Sequence, residues 1–250
     1  MDFNVDYYFE NLDDKEDVIA NKIIKKSKNI IDLFVKAQEF MSKEVSEKHV
    51  QVNNAKEIGE NVTIVGDYFI DEGVKLRDGC RIEGPVYIGK NCEIGYQAYI
   101  RPGTIMGDNC VVGFNSEVKN TVMRGGSKIS SLAFLGDSVI GSKARVGSGV
   151  IVCNRQFNQS NIFYKDDNGE KIDSNREFLG CILGDNTRLG ANSITQPGTC
   201  IGPYTWIYPL TPARGFIPAQ KRVYQEVSLH YEFNEKKELK KANWRDELKK

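Results

Sequence analysis

Aliphatic residues recur at every sixth position through the middle of the chain. Eleven consecutive positions in one phase are aliphatic, namely Ile58, Ile64, Ile70, Leu76, Ile82, Ile88, Ile94, Ile100, Met106, Val112 and Val118. The residues four places further on are mostly small or β-branched, and glycine follows the aliphatic residue in several hexads. A strand has a period of about 2 and a helix a period of about 3.6, so neither produces this spacing. The pattern predicts a parallel β-helix of hexapeptide repeats, in which each aliphatic residue points inwards.

Two changes of phase interrupt the repeat. After Val118 the aliphatic series continues, shifted in phase, as Phe134, Ile140, Val146 and Val152. We therefore expect an excursion from the β-helix at about residues 124–133. The series resumes as Leu183, Leu189, Thr195, Ile201 and Ile207, which places a second excursion at about residues 154–182. Asn168-Gly169 within the second excursion is typical of a β-hairpin turn, and loops on a regular scaffold often carry functional residues.

Both ends of the chain lack the six-residue period. Between residues 14 and 47 the apolar residues have helical spacing, and the last sixteen residues are densely charged. We expect residues 1–57 to form a helical cap on the first coil and residues 58–210 to form the β-helix. Residues 211–250 are expected to form a charged tail or helix. The alternative for either end is an element that binds a partner.

Composition narrows the class of protein. The 250 residues contain 34 Lys+Arg and 34 Asp+Glu, so no basic surplus indicates a nucleic-acid partner. No apolar run approaches the ~18 residues of a membrane-spanning helix, and the first residues do not form a signal peptide. The six cysteines include no CxxC pair, and His49 and His230 both lie outside the hexads. We therefore expect a cytoplasmic protein without a metal site, and in particular no three-histidine zinc centre.

Several short motifs follow one another between Ile82 and Pro209. They are Arg101-Pro102-Gly103-Thr104, Glu117-Val118-Lys119-Asn120, Gly126-Ser127-Lys128, Leu135-Gly136-Asp137, Val146-Gly147-Ser148-Gly149 and Asn154. Their order resembles the left-handed β-helix domain of the bifunctional N-acetylglucosamine-1-phosphate uridylyltransferase/glucosamine-1-phosphate acetyltransferases. The segment after Asn154 is similar to the archaeal sugar-1-phosphate nucleotidylyltransferases that carry the same domain. The resemblance covers about half of the chain, and the expected left hand of the β-helix comes from it alone.

The resemblance implies a homotrimer whose sites lie between neighbouring subunits, where the amine of a sugar phosphate attacks acetyl-CoA. Residues matching the family's site are Arg101 and Lys119 for the phosphate, Glu117, Phe134 and Asn154 for the rest of the substrate, and Ser148 and Ala191 for acyl-CoA. Two cations that clamp a phosphate dianion form strong charge-assisted hydrogen bonds. The simpler alternatives are solvated corner residues for the cations, Ser148 and Ala191, an ion pair for Glu117 and a turn residue for Asn154.

The chain departs from the family at the general base. The family has a histidine in a Gly-Ser-Lys-x-x-His-Leu segment, and Ser131 occupies that position here. The family's tyrosine three residues later is Phe134. A serine needs a base of its own, and losing a general base typically costs ~10²–10⁴-fold in rate. The catalytic residue is therefore open, with Glu117 and Asp137 as candidates and a simple loop serine as the alternative for Ser131.

Three functions remain open at this level. The first is a hexapeptide acyltransferase that uses acetyl-CoA and a sugar phosphate or nucleotide sugar. The second is a catalytically inactive module that binds the sugar phosphate and assists a separate nucleotidylyltransferase, since no Gly-rich Rossmann-like segment is present in this sequence. The third is a trimeric scaffold whose N-terminal helices recruit partners. The motif order favours the acyltransferase.

Overall fold

The chain folds into a parallel β-helix of three sheets, as its computed structural model shows for residues 4–13, 17–165, 170–226 and 228–233. Sheet A contains the strands Gln51–Asn53, Tyr68–Ile70, Val86–Ile88, Ile105–Met106, Val122–Met123, Val139–Ile140, Cys181–Leu183, Thr199–Ile201 and Phe216–Ile217. Sheet B contains Glu57–Ile58, Lys75–Leu76, Glu93–Ile94, Val111–Val112, Lys128–Ile129, Arg145–Val146, Arg188–Leu189, Trp206–Ile207 and Arg222–Val223. Sheet C contains Thr63–Val65, Arg81–Glu83, Tyr99–Ile100, Glu117–Lys119, Phe134–Gly136, Ile151–Val152, Ile194–Thr195 and Pro212–Ala213. The predicted hexapeptide-repeat β-helix is confirmed.

The core of the β-helix is the stack of inward aliphatic residues that the period predicts. In sheet C, for example, Ile82, Ile100 and Val118 lie one above another on successive coils, and all three are fully buried. The small inward slot four positions after an inward aliphatic residue holds cysteines and hydroxyl residues, such as the buried Cys92 and Cys110. A free cysteine behaves there as a small apolar residue. Because each strand pairs with its neighbours in parallel, every coil buries the inner face of the next one.

The expected excursion at 124–133 is wrong. Lys128–Ile129 lies within sheet B and pairs with Val111–Val112 on one side and Arg145–Val146 on the other. The phase changes because the turn from sheet C to sheet A is one residue shorter than usual on two successive coils. Leu135, and not Phe134, is therefore the inward residue opposite Val118. Phe134 and Leu135 are both apolar, so the sequence period did not distinguish them.

The chain does leave the β-helix between Val152 and Cys181, and the predicted hairpin is confirmed there. Phe163–Lys165 and Lys171–Asp173 form an antiparallel pair. The Asn-Gly turn at residues 168 and 169 lies outside the described part of the chain. The buried side chains of Ile162 and Tyr164 belong to the same apolar cluster as Phe34 of the N-terminal segment. The excursion is thus anchored to its own chain.

The strands extend beyond the expected range of 58–210 at both ends, from Gln51–Asn53 to Arg222–Val223. The last coil was missed because its inward residues, Ala213 and Ile217, are only four positions apart. A charged tail or helix was expected at 211–250, but residues 212–223 contribute strands to the last coil, and residues 234–250 lie outside the described part of the chain. None of the helices among the described residues combines the length and the apolar character needed to span a bilayer.

The N-terminal segment is helical, but it covers the outer face of sheet A and not the end of the first coil. It comprises α1 (Val5–Tyr8), α2 (Val18–Lys25), α3 (Ile30–Phe40) and a π-helix (Met41–Ser46). The hydroxyl of Tyr7 accepts a hydrogen bond from the Ala219 amide near the last coil, whereas the carbonyl of Val50 accepts one from Tyr68 near the first. The segment therefore runs along the whole length of the sheet.

The outward residues of sheet A explain this position. They are Phe69, Tyr87, Ile105, Val122, Val139, Ile182, Cys200 and Phe216, each one place before an inward residue. Ile105, Val122, Val139 and Ile182 are buried against α2 and α3, whose buried residues include Ile24 and Leu33. Sheet A is apolar on both its inner and its outer face. Its outer face must therefore be covered by another layer, because a sheet face in contact with water is normally polar. This column of apolar outward residues is the sequence feature that indicates where the helices pack.

A buried charge cluster fixes the N-terminal segment to the β-helix. The guanidinium of Arg124 is 3% exposed and donates to both carboxylate oxygens of Asp185 at 2.6 and 2.7 Å. It also donates to the Asn21 side chain and to the Glu10 carbonyl, both on the N-terminal segment. The carboxylate of Asp17 accepts a hydrogen bond of 2.8 Å from the Gly125 amide. The Arg124 guanidinium is therefore bonded both to the β-helix and to the N-terminal segment.

Asp17 predicts a pH dependence of stability. Burial raises the pKa of its carboxyl to about 7, against the lowering effects of the Gly125 amide and Arg124. Because the folded pKa lies above the unfolded value, the folded state binds the extra proton between about pH 4 and about pH 7. The stability from that proton is complete below pH 4 and lost as the pH rises through 7. We expect Asp17→Asn to make the unfolding free energy less dependent on pH in this window, by up to about 1.4 kcal/mol per pH unit.

Urea denaturation of both proteins at several pH values between 5 and 8 measures this difference. Asp13→Asn is a matched control, since its side chain is 97% exposed. Parallel pH profiles for the wild type and Asp17→Asn would contradict a buried, proton-binding Asp17.

Candidate functional site

Sheet C brings most of the predicted site residues together on adjacent coils. Arg101 and Lys119 each directly follow a fully buried inward residue, Ile100 and Val118, so their side chains emerge on the outer face of the sheet. Lys119 is in register with Gly136 on the next coil. Glu117, on the same strand as Lys119, is in register with Tyr99 and Phe134 on the neighbouring coils. Two cations, one carboxylate and two rings thus form a compact patch.

Asp137 organises one side of this patch. It is 3% exposed, and its carboxylate accepts hydrogen bonds from Asn120 at 2.6 Å and from Asn154 at 2.7 Å. The ammonium group of Lys119 lies 3.5 Å from the oxygen that binds Asn154. Both oxygens of Asp137 therefore have partners in the chain itself. This arrangement fits an anchor that positions Lys119 and Asn154 better than a base that approaches the substrate.

Glu117 and Arg101 form the other side of the patch. Their side chains make an ion pair of 2.6 Å, and each is about one third exposed. The hydrogen bond to Glu117 is the main cause of the raised pKa of the Arg101 guanidinium. The guanidinium also lies 5.8 Å from the centre of the Tyr99 ring. Glu117 is therefore a solvent-accessible carboxylate held directly beside a cation.

Two residues of the excursion, Phe178 and Arg155, approach the patch without any signal in the hexad pattern. The ring of Phe178 lies 4.7 Å from the Lys119 ammonium and 4.9 Å from the Arg155 guanidinium. The returning chain is fixed there because the Gly180 amide donates to the carbonyl of Asp137 and the Leu179 amide donates to that of Asn154. Arg176 lies over Phe34, and burial lowers the pKa of its guanidinium. The hexad period carries no information about a segment that leaves the coils.

Ser131, Ser148 and Ala191 lie together on the corner between sheets B and C. Ser148 and Ala191 are exposed, and the Asn192 amide donates to the carbonyl of Ser148 on the coil below. Ser131 is half-buried, and within the described residues its hydroxyl forms no hydrogen bond. The corner borders the strand Phe134–Gly136, so it runs beside the patch on sheet C. Ser131 lacks the basic partner that would make it a nucleophile or a base.

Neither histidine occupies the site. His49 lies in the turn before sheet A and pairs with Asp67 at 3.8 Å, and His230 is an exposed residue beyond the last coil. Among the described residues, no group of three or more His, Cys, Asp or Glu side chains is arranged to hold a metal ion.

There is little free space between Gly136 and the Asn154 side chain. A methyl group on Gly136 would lie 2.5 Å from the Asn154 amide nitrogen and 3.1 Å from the Phe134 ring. We expect Gly136→Ala to displace the Asn154 side chain. The binding of the sugar phosphate that the family resemblance implies should weaken by about tenfold, which is the effect of one hydrogen bond. Affinity measured by calorimetry checks this. Gly215→Ala adds a methyl away from the patch at a strained backbone φ of 67°, so it shows how far a general loss of stability alters affinity. Equal affinities for wild type and Gly136→Ala would exclude a role for Asn154.

The chain is similar in sequence to several known proteins over most of its β-helix. Residues 82–201 match the family described as the GMPPB C-terminal domain. The chain is 38% identical over 156 residues to a bifunctional sugar-1-phosphate nucleotidylyltransferase/acetyltransferase of Sulfurisphaera tokodaii, covering 62% of this chain but 39% of that protein. It is 32% identical over 195 residues to the uncharacterized acetyltransferase YaiX of Escherichia coli O6:K15:H31, covering 78% of this chain and 79% of that one.

The UDP-N-acetylglucosamine acyltransferase of Francisella novicida superposes with a TM-score of 0.42 at 17% identity, over 66% of this chain and 60% of that one. The chain spans less than two fifths of the length of the archaeal GlmU relatives, for example 38% of the Methanococcus aeolicus protein.

Proposed function

The chain belongs to the hexapeptide-repeat family that includes the uncharacterized acetyltransferase YaiX and matches part of the GlmU proteins, and from that premise we propose that it transfers an acyl group from acetyl-CoA to a sugar phosphate or nucleotide sugar. One observation carries the proposal. Arg101 and Lys119 emerge on adjacent coils of sheet C, and the Asp137–Asn154 pair holds Lys119 in place. Two fixed cations match the charge of a phosphate dianion.

The acceptor's phosphate binds between Arg101 and Lys119 and competes with Glu117 for the guanidinium. Arg101 and Glu117 make an ion pair of 2.6 Å in the absence of substrate. When the phosphate takes over the guanidinium, the carboxylate of Glu117 is released next to the acceptor. Glu117 then accepts the proton of the attacking amine or hydroxyl, a role for which a general base must lie within hydrogen-bond reach. As the new C–N or C–O bond forms, the C–S bond of the thioester breaks, and coenzyme A leaves as the thiol with that proton. Asp137 acts as a positioning residue.

The acyl donor lies along the corner of Ser148 and Ala191. Both residues are small and exposed, and the neighbouring Gly147 has no space for a side chain because a methyl group would lie 2.7 Å from the Ala191 amide. A pantetheine arm is narrow and carries two amide groups, so it fits a corner that is lined by small residues and leaves backbone polar groups accessible. The thioester then reaches the edge of sheet C, where the acceptor is bound.

The active assembly is a homotrimer with the site between subunits. The N-terminal segment covers sheet A, which leaves sheets B and C to face neighbouring subunits. Sheet C and its corner expose apolar side chains, among them Leu132, Ile151, Ile194 and Leu210, each at least 40% exposed. Contiguous exposed apolar surface of this kind marks an interface, and closed rings are the usual result of head-to-tail contacts. Light scattering is expected to give three times the mass of the chain.

A second candidate function is a binding module without transferase activity that assists a separate nucleotidylyltransferase. The replacement of the family's base by Ser131, whose hydroxyl lacks a partner in the described structure, favours this alternative. The phosphate site on sheet C would be retained in such a module. The two functions differ in whether an acyl donor binds at the corner of Ser148 and Ala191.

Calorimetric titration with acetyl-CoA therefore tests the proposed function. We expect saturable binding in the micromolar range with one molecule per chain. Absence of binding up to millimolar acetyl-CoA would contradict an acyltransferase and support the binding module. Ala191→Tyr, which fills the corner, serves as the variant expected to abolish binding, and Thr63→Tyr on the first coil of sheet C serves as its control.

A further inference from the structure

Sheet C places a second carboxylate, that of Glu83, directly beside Arg101. Glu83 follows the buried inward residue Ile82 in the chain. Arg101 holds the same place on the next coil, because Ile100 and Ile82 are in register. The two side chains therefore emerge on the outer face of the sheet at the strand spacing of about 4.8 Å. Opposite charges at such places attract each other, so Glu83 and Arg101 are matched to form an ion pair.

Other donors occupy both carboxylate oxygens of Glu83. The guanidinium of Arg81 donates to one oxygen at 2.6 and 2.7 Å, and the hydroxyl of Tyr99 donates to the other. The hydrogen bond from Tyr99 is the main cause of the lowered pKa of the Glu83 carboxyl, followed by the one from Arg81. Arg101 pairs with Glu117 on the opposite side. In the described part of the chain, Glu83 and Arg101 thus remain unpaired with each other.

Tyr99 contacts a carboxylate and a cation with different parts of one side chain. Its hydroxyl binds Glu83, and its ring centre lies 5.8 Å from the Arg101 guanidinium, within the range of a cation–π interaction. It is in register with Arg81 on one neighbouring coil and with Glu117 on the other. Tyr99 therefore lies between the Arg81–Glu83 pair and the Arg101–Glu117 pair. Phenylalanine at this position would keep the ring and lose only the hydroxyl.

A free carboxylate oxygen beside Arg101 would compete with a phosphate. In the proposed function the guanidinium of Arg101 leaves Glu117 when the phosphate of the acceptor arrives. An unoccupied oxygen of Glu83 would then attract the same N–H groups from the neighbouring coil. The hydrogen bond to Glu117 is the main cause of the raised pKa of Arg101, and the charge of Glu83 already contributes to it. The Tyr99 hydroxyl occupies the oxygen that would otherwise compete.

We propose that Tyr99 is a positioning residue of the acceptor site, whose hydroxyl keeps Glu83 away from Arg101 so that the guanidinium stays available to an anionic acceptor. This inference rests on the proposed function and deepens it, since it assigns the affinity for the phosphate partly to the coil before the patch. Tyr99 acts through Arg101 and does not bind the phosphate itself. Charge-assisted hydrogen bonds from the guanidinium provide the binding.

Tyr99→Phe tests this proposal, because it removes the hydroxyl and keeps the ring. We expect calorimetry to show that Tyr99→Phe binds glucosamine 1-phosphate about threefold more weakly than the wild type, the effect of one exposed ion pair that competes with the phosphate. Tyr96→Phe is the matched control and is expected to bind like the wild type. The Tyr96 side chain lies on the same coil, is 51% exposed, and forms no hydrogen bond through its hydroxyl within the described residues.

Glu83→Gln distinguishes competition from a structural role of Tyr99. A glutamine carries no charge, so it does not compete with a phosphate for Arg101. We therefore expect Tyr99→Phe to weaken binding in the presence of Glu83 and to have no effect in the Glu83→Gln background. A loss of the same size in both backgrounds would overturn the proposal, because Tyr99 would then support the site independently of Glu83. Equal affinities of the wild type and Tyr99→Phe would also overturn it.

The outcomes separate this proposal from the proposed function. A loss in Tyr99→Phe that Glu83→Gln abolishes supports the role of Tyr99 even if no acetylated sugar is formed. Sugar-phosphate binding that is unchanged in Tyr99→Phe overturns this inference alone, even if acyl transfer is found. A wild type that does not bind the sugar phosphate overturns the proposed acceptor site and this inference together.

Discussion

Replacing Arg124 by alanine is expected to lower the free energy of unfolding by about 3–5 kcal/mol, the cost of breaking a buried ion pair from one side. Arg124 is 3% exposed and pairs with Asp185, whose carboxylate is also buried. Burial already raises the pKa of Asp185, and Arg124 is the main opposing influence. Without the guanidinium, Asp185 and Asp17 would remain buried beside each other with no cation, while Asn21 and the Glu10 carbonyl lose their donor.

Chemical denaturation of the wild type and of Arg124→Ala measures this loss. Lys90→Ala is the matched control, because its ion pair with Glu72 is exposed on both sides and is expected to be worth no more than about 1 kcal/mol. Circular dichroism should report a β-helix that still folds, with the N-terminal helices more easily cleaved by protease. A loss below about 1 kcal/mol for Arg124→Ala would show that the buried cluster does not hold the segment on sheet A.

Replacing Lys119 by alanine is expected to weaken the binding of a sugar phosphate by about 10–100-fold, which corresponds to one charge-assisted hydrogen bond. The ammonium group has Asp137 on one side and the Phe178 ring on the other, so its position is fixed before the ligand arrives. A fixed cation gives up less side-chain entropy on binding than a mobile lysine. The fold is expected to persist, because Asp137 keeps its hydrogen bonds to Asn120 and Asn154.

Titration with glucosamine 1-phosphate and with glucosamine distinguishes a loss of phosphate binding from a general loss of sugar binding. Only the phosphorylated sugar should lose affinity in Lys119→Ala. Lys75→Ala, on sheet B of an early coil, serves as the control and is expected to bind both sugars like the wild type. Equal losses for both sugars would mean that Lys119 supports the site structurally and does not bind the phosphate.

Much of the fold follows from the six-residue period. Ile82, Ile100 and Val118 stack because an inward residue recurs after three hexads, which is one coil. The period could not decide between Phe134 and Leu135, because both residues are apolar and the turn from sheet C to sheet A is one residue shorter on these coils. The position of the N-terminal helices was not predicted, because the apolar outward column of sheet A is visible only once its strands are assigned.

The candidate site was predictable to the extent that it lies on the coils. Arg101, Glu117 and Lys119 meet because the register of sheet C brings them together. Asp137 was predicted as a candidate base, whereas the structure surrounds it with donors and gives it the position of an anchor. Phe178 was missed because it lies on the excursion, where the six-residue period does not apply.

Release of coenzyme A thiol from acetyl-CoA in the presence of amino-sugar phosphates tests the central claim most directly. The account predicts release that depends on the phosphorylated sugar, falls in Lys119→Ala and Glu117→Gln, and yields the acetylated sugar phosphate by mass spectrometry. No release above the acetyl-CoA background, with a trimer that binds both ligands, would contradict an acyltransferase and leave a sugar-phosphate binding module.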